Sequence, residues 1–162
     1  MIEFEEALRL YPPATHDLFV AIGFTSTEAR RRKFLDARGR GYALPSYVHP
    51  SAWVAENVRV ASNSLIQEQA VVCPFVQLGE DVFICPQVGI NHHTRLGSHC
   101  FVAPGAVISG QVEIGELCFI GANATLRDRI RIGDGCTIGA GAVVMADCEA
   151  GGVYPAAATP RR

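Results

Sequence analysis

The chain has 162 residues, 49% hydrophobic and 19% charged, with a formal net charge of −2, so it can bury a core and is no disordered tail. That charge offers no basic surface to a nucleic acid or an anionic membrane, and the length suits one domain, or one domain with a small subdomain. No apolar run approaches the roughly 20 residues that span a bilayer, and the opening MIEFEEALRLYPP lacks the positive start and apolar run of a signal peptide, so the expected location is the cytoplasm.

Residues 1–46 read as a partial α/β segment. Phe4–Tyr11 is expected as a short helix running into Pro12-Pro13. Asp17–Phe24 (DLFVAIGF) is a compact apolar run between turn signals, hence a strand. Thr25 and Glu28 form a capping box for a helix over Ser26–Ala37. Residues 38–41 end that helix, and Tyr42–Tyr47 leads into the next unit. The segment is too short for a complete doubly wound domain, and the chain holds no GxGxxG and no Walker motif.

From Val48 the sequence repeats every six residues. Val48, Val54, Val60, Ile66, Val72, Leu78, Ile84, Ile90, Leu96, Val102, Ile108, Ile114, Ile120, Leu126, Ile132, Ile138 and Val144 are all Val, Ile or Leu. These types fill 37 of the 162 positions, so seventeen in phase by chance has a probability on the order of 10⁻¹¹. Four residues after each aliphatic comes a residue that is mostly small or medium, as in Ala70, Thr94, Cys100, Ala106, Cys118, Ala124, Cys136 and Ala142. A glycine often follows the aliphatic directly (Gly79, Gly97, Gly115, Gly121, Gly133, Gly139), as tight corners would require.

A period of six fits neither the 3.6 of an α-helix nor the 2 of a plain strand. It fits short strands joined by bends in a parallel β-helix, the large and the small residue of each repeat both pointing into a narrow prism. With three repeats per triangular turn, residues 18 apart stack, giving somewhat under six coils over residues 47–149, followed by a tail at 150–162. The six cysteines fit this stacking. Cys100, Cys118 and Cys136 form one inner column, and Cys148 shares their phase. No CxxC occurs, so the thiols read as small core residues rather than a disulfide or metal set.

The chemistry lies in the histidines. His92 stands two residues after an inward aliphatic, on the outside of a corner. In rows of 18 it has Pro74 on one side and Gly110 on the other, with Asp128 beyond; Gly110 leaves a groove beside it. An imidazole there suits a general base that takes a proton from an alcohol or an uncharged amine; the plainer reading is a solvated surface pair with His93. His99 reads as a surface or corner residue. Arg127, Arg129 and Arg131 alternate along a coil edge, to meet phosphates or to face solvent.

These residues carry a resemblance. QVEIGELCFIGANATLRDRIRIGDGCTIGAGAVV at 111–144 resembles the hexapeptide-repeat acyltransferases. VGINHHTRLGSHCFVAPGAVISG at 88–110, DLFVAIGF and YVHPSAWVAENV resemble their sugar O-/N-acyltransferase branch, the sialic acid O-acetyltransferase and bacillosamine acetyltransferase type. The resemblance implies left-handed coils and a homotrimer with active sites between neighbouring β-helices. It implies acetyl-CoA as co-substrate, a ternary complex without an acyl-enzyme, and no metal. The acceptor is a sugar or nucleotide-sugar. The family's catalytic His falls on His92, with His93 beside it, and its backbone contacts to acetyl-CoA fall near Gly110, Ala122 and Ala140. The chain departs from the family pattern twice. His93 stands where Asp or Glu is usual, and the sequence begins after the family's first β-α-β segment with its glycine-rich loop. The turn Gly23-Phe24-Thr25-Ser26 is then the one comparable phosphate-contacting turn, and weak nucleotide-sugar binding is expected. Two alternatives stand beside this reading: a non-catalytic or remnant solenoid, and a γ-type carbonic anhydrase, whose ligand spacing His92, His93 and His99 do not match.

Overall fold

The structure, a computed structural model, describes residues 4–23 and 26–156. Among these the chain is mainly β: seventeen two-residue strands form three parallel sheets of seven, six and four strands, wound as a left-handed parallel β-helix. Consecutive coils pair at a register of 18, as in Gly89↔Val107 and Ile90↔Ile108 on one face or Phe101↔Phe119 on another. Each strand but the last is an outward residue and the inward aliphatic that follows it; the last, Val153–Tyr154, ends in an aromatic.

The corners differ from expectation in one respect. The left-handed residue lies three positions after the aliphatic, and non-glycine side chains often fill it: Asn63, Asp81, His93, His99 and Gln111 all have φ between 54° and 64°. The glycines directly after the aliphatic serve another purpose. A Cβ on Gly97 would lie 2.5 Å from the carbonyl of Gly115 in the next coil, so the side chain is excluded by close backbone approach, not by φ.

Thirteen of the seventeen aliphatics are buried; Val48 is exposed, and Val54, Val60 and Leu78 are half-buried. All four belong to the first turn or to the first strand of a sheet, where no coil lies beneath to cover them. Residues 59–60 form no strand. The small inward phase also satisfies the corner carbonyls. Thr94 Oγ1 donates to Ser109 O at 2.9 Å, and the thiols of Cys100 and Cys118 donate to Gly115 O and Gly133 O, each at 3.1 Å and each fifteen residues on. The six cysteines are free, and all but Cys73 are buried.

Two helices precede the coils, α1 (Phe4–Leu10) and α2 (Thr27–Gly39). The N-cap of α2 is Ser26, whose Oγ accepts from Ala29 N at 3.0 Å, instead of the expected Thr25, which lies outside the described residues. The strand expected over 17–24 is not formed in its described part. Its backbone groups go elsewhere: Leu18 N donates to Ala43 O, and Val20 N and O bond the Asn63 side chain. With only isolated partners on either side, no ladder can start. The expected tail also needs correction, because Val153–Tyr154 pairs with Thr137–Ile138 and extends the stack past 149. This last coil is two residues shorter than the others, since Ile132 bridges Cys148 at a separation of 16.

The three faces differ in what they present outward. On the first, Phe83, Phe101 and Phe119 stack in a column, and the N-terminal segment covers it, with the Phe19 ring stacked on Phe83 at 5.8 Å. On the second, Trp53, Val71, Val107 and Val143 are exposed and line up in a largely apolar stripe, with Gly89 and Thr125 between them. Leu65, which precedes Ile66 on the first face, is half-buried. On the third, Arg95, Glu113 and Arg131 alternate in charge, with Arg131 Nε 3.0 Å from Glu113 Oε2.

Candidate active site

The strand Gly89–Ile90 on the second face turns through residues 91–94 into Arg95–Leu96 on the third. Asn91 anchors this corner through its N and its Nδ2, both donating to Ile108 O. His92 follows, exposed, with its carbonyl accepting from Gln111 N at 2.9 Å. Its ring lies over Gly110: a Cβ there would stand 2.7 Å from Cε1 and 2.9 Å from Nε2. The space beside Gly110, expected as an open groove, is thus occupied by the imidazole itself, and Gly110 is what allows it.

His93 takes the left-handed corner position, with φ 59°. Its N–H donates to Pro74 O at 3.2 Å, and its ring rests against Phe75 at 4.8 Å. The Nδ1 atoms of His92 and His93 are 3.2 Å apart, so one carries the proton they share. Phe75 is 58% exposed.

Gly110 and the histidines share the edge between the second and third faces. Ala122 and Ala140 do not. They follow strands of the first face and lie on the edge between the first and second, where Gly141 N donates to Ala122 O at 2.7 Å. Within one chain the two sets are therefore on opposite edges of the apolar second face.

His99, expected as a surface or corner residue, takes a corner position and is buried. Its Nδ1 is 2.9 Å from Asp81 Oδ2, its ring meets Phe34 edge-on, and Asp81 also accepts from Asn63 Nδ2 and from the buried Arg30 Nε. Arg30 reaches on to the carbonyls of Asp81, His99 and Cys100. Asn63, Asp81 and His99 are spaced by 18, so the column was readable; its burial was not, because Arg30 and Phe34 of α2 cover it.

The comparisons bear on this arrangement. The family model for bacterial transferase hexapeptide (six repeats) matches residues 75–110, 93–128 and 111–146. Over 94% of this chain and 74% of its own, the acetyltransferase domain of PglB from Neisseria gonorrhoeae FA1090, solved in complex with acetyl coenzyme A, superposes with a TM-score of 0.89 at 31% identity. The chain belongs to the hexapeptide-repeat acyltransferases. A His-to-Asn mutant of perosamine N-acetyltransferase from Caulobacter crescentus, in complex with CoA and GDP-perosamine, is similar at 28% identity and TM-score 0.85, with 91% of this chain and 68% of that one covered. WeeI from Acinetobacter baumannii AYE, at 21% identity and TM-score 0.58 over 80% and 64% of the two chains, shares the fold. No curated protein sequence matches the chain.

In this hexapeptide-repeat chain a cleft of about 610 Å³ lies over Arg95, Glu113, Arg131 and Glu149 on the third face, away from His92. The arginines read as meeting phosphates or facing solvent are exposed beside acidic and amide partners: Arg127 and Arg129 each lie 3.9 Å from Asp128, Arg129 Nε donates to Gln111 Oε1, and Arg131 pairs with Glu113. Phe24 and Thr25 of the expected phosphate-contacting turn lie outside the described residues. Among the described residues no group of three or more His, Cys, Asp or Glu could hold a metal ion, and no helix is long and apolar enough to cross a membrane.

Proposed function

We propose that the chain moves an acetyl group from acetyl-CoA to an amino or hydroxyl group of a nucleotide-linked sugar, with His92 as general base. The observation that carries this is the His92–Gly110 pair: an exposed imidazole, braced at Nδ1, with its Nε2 edge free over a side-chain-less corner. The relatives solved with acetyl-CoA, and with CoA and GDP-perosamine, support the substrate pair.

His92 Nε2 takes a proton from the acceptor as its nitrogen or oxygen bonds the thioester carbonyl carbon. A backbone N–H near Gly110 meets the oxyanion. Collapse breaks the C–S bond, and the CoA thiolate leaves and is protonated. No acyl-enzyme forms.

The active unit in this reading is a homotrimer. The second face exposes Trp53, Val71, Val107 and Val143, and His92 with Gly110 and Ala122 with Ala140 flank it on opposite edges. Packing beside a second copy brings the His92 edge of one chain to the Ala122 edge of its neighbour, and acetyl-CoA lies between them. CoA chemistry and free cysteines favour a cytoplasmic location.

Calorimetry with acetyl-CoA and an acetyl-transfer assay with GDP-perosamine and UDP-linked amino sugars test the proposal. His92→Ala should keep acetyl-CoA affinity and lose roughly 10²–10⁴ in rate. Failure of the parent to bind acetyl-CoA would leave a non-catalytic solenoid.

A further inference from the structure

We propose that His93 is a positioning residue that selects the tautomer of His92, so that the pair forms a proton-operated gate; this rests on His92 being the base. The Nδ1–Nδ1 separation of 3.2 Å admits one hydrogen between the two rings. If His92 Nδ1 donates to His93 Nδ1, the lone pair of His92 Nε2 is bare and can take the acceptor's proton. If His93 donates instead, His92 Nε2 carries hydrogen and cannot act as base. Which of these holds is set by the hydrogen bond the other ring nitrogen makes.

The geometry favours His93 as the fixed acceptor. Its ring is held between its own corner and the Phe75 ring, at 4.8 Å and 31°, and nearly perpendicular to His92, at 82°. Its backbone is pinned through Pro74 O. The groups on the neighbouring coils leave no competing acceptor for His92 Nδ1. Towards the amino terminus stand Pro74 and Phe75, whose N–H donates to Asn57 Oδ1. Towards the carboxy terminus Gln111 gives its Oε1 to Arg129 at 2.7 Å, and Asp128 lies beside Arg127 and Arg129. Among the described residues no carboxylate bonds either ring.

Protonation of His93 reverses the bond. Both its nitrogens are then donors, and its Nδ1–H occupies His92 Nδ1 and imposes the inactive tautomer. Activity is lost once the pair takes up a proton, because His92 Nε2 then carries hydrogen whichever ring holds the shared one.

Long-range ¹H–¹⁵N spectra of ¹⁵N-histidine-labelled protein at pH 8 read the tautomer directly and need no variant. The parent should show hydrogen on Nδ1 of His92 and a bare Nε2. His93→Asn supplies an acceptor oxygen that cannot be protonated; it should keep the tautomer and the rate at pH 8. His93→Phe keeps a ring on Phe75 but offers no acceptor. It should shift His92 towards the Nε2–H form and lower kcat at least about tenfold at unchanged acetyl-CoA affinity. A parent with hydrogen on Nε2, or a His93→Phe variant with the parental rate and pH profile, overturns the proposal. An active His92→Ala variant instead removes the underlying base assignment; an inactive one with a fully active His93→Phe removes only the gate.

Discussion

His92 and Gly110 are stacked one coil apart so closely that the imidazole fills the volume a side chain at Gly110 would need. The ring is braced at its other edge by His93, so a new methyl group cannot be accommodated without moving Nε2. Gly110→Ala should therefore lower acetyl transfer by roughly 10²-fold, the cost of misplacing a reacting group by about 1 Å. Its thermal midpoint should stay close to that of the parent, because His92 is exposed. An alanine variant with full kcat would show that the ring is not held where it is seen.

The exposed stripe of the second face predicts the assembly. Light scattering should give about 52 kDa, three times 17.4 kDa. Val107 is 42% exposed at the middle of the stripe. Val107→Glu places a charge in the proposed contact, so the variant should run as a folded monomer and lose transfer together with acetyl-CoA binding. A folded, monomeric and fully active variant would show that one chain holds the whole site.

Asp81 joins the N-terminal segment to the coils through a buried pair with Arg30, both side chains 0% exposed. Removing one partner of such a pair costs about 3–5 kcal/mol, because the other charge is left buried and uncompensated. Asp81→Ala should release α2 from the first face. Hydrogen exchange should show α2 opening in the variant while the amides between coils stay protected. Uniform loss of protection would mean that the coils themselves depend on this pair.

Thiol chemistry follows burial. Cys73 is the half-buried thiol and should react first with a thiol reagent at neutral pH, the other five only on unfolding. Burial pushes the Cys85 thiol up to about 11. A thiol whose folded pKa is raised adds stability below its unfolded value and loses it above. Urea midpoints should thus fall as pH rises from about 9 towards 11. A Cys85→Ala variant should show a smaller fall over that range, and an identical fall would assign the effect to other groups.

How much of this was legible depends on the range of each interaction. The phase of the aliphatics gave the strands because every coil repeats the same local contact, and a pattern of 18 needs no knowledge of the remaining chain. It also paired His92 with Gly110. The same period of 18 joins Asn63, Asp81 and His99 in one column, but His99 was read only as a surface or corner residue. The sequence could not show that α2 would cover that edge and that Arg30 would meet Asp81 from 51 residues away.

The strand expected at Asp17–Phe24 failed for the converse reason. Its residues favour extended backbone, but a strand requires a partner ladder, and the Asn63 side chain satisfies Val20 instead. By itself the sequence determined the prism, its inward residues and its corner histidines, since stacking identical repeats is a nearest-neighbour problem. Only the tertiary structure decided which face is sealed by aromatics, which stays apolar and open, and that His92 and Ala122 stand on opposite edges of it. Those outcomes turn on where a non-repeating segment docks, and burial there is fixed by partners distant in sequence.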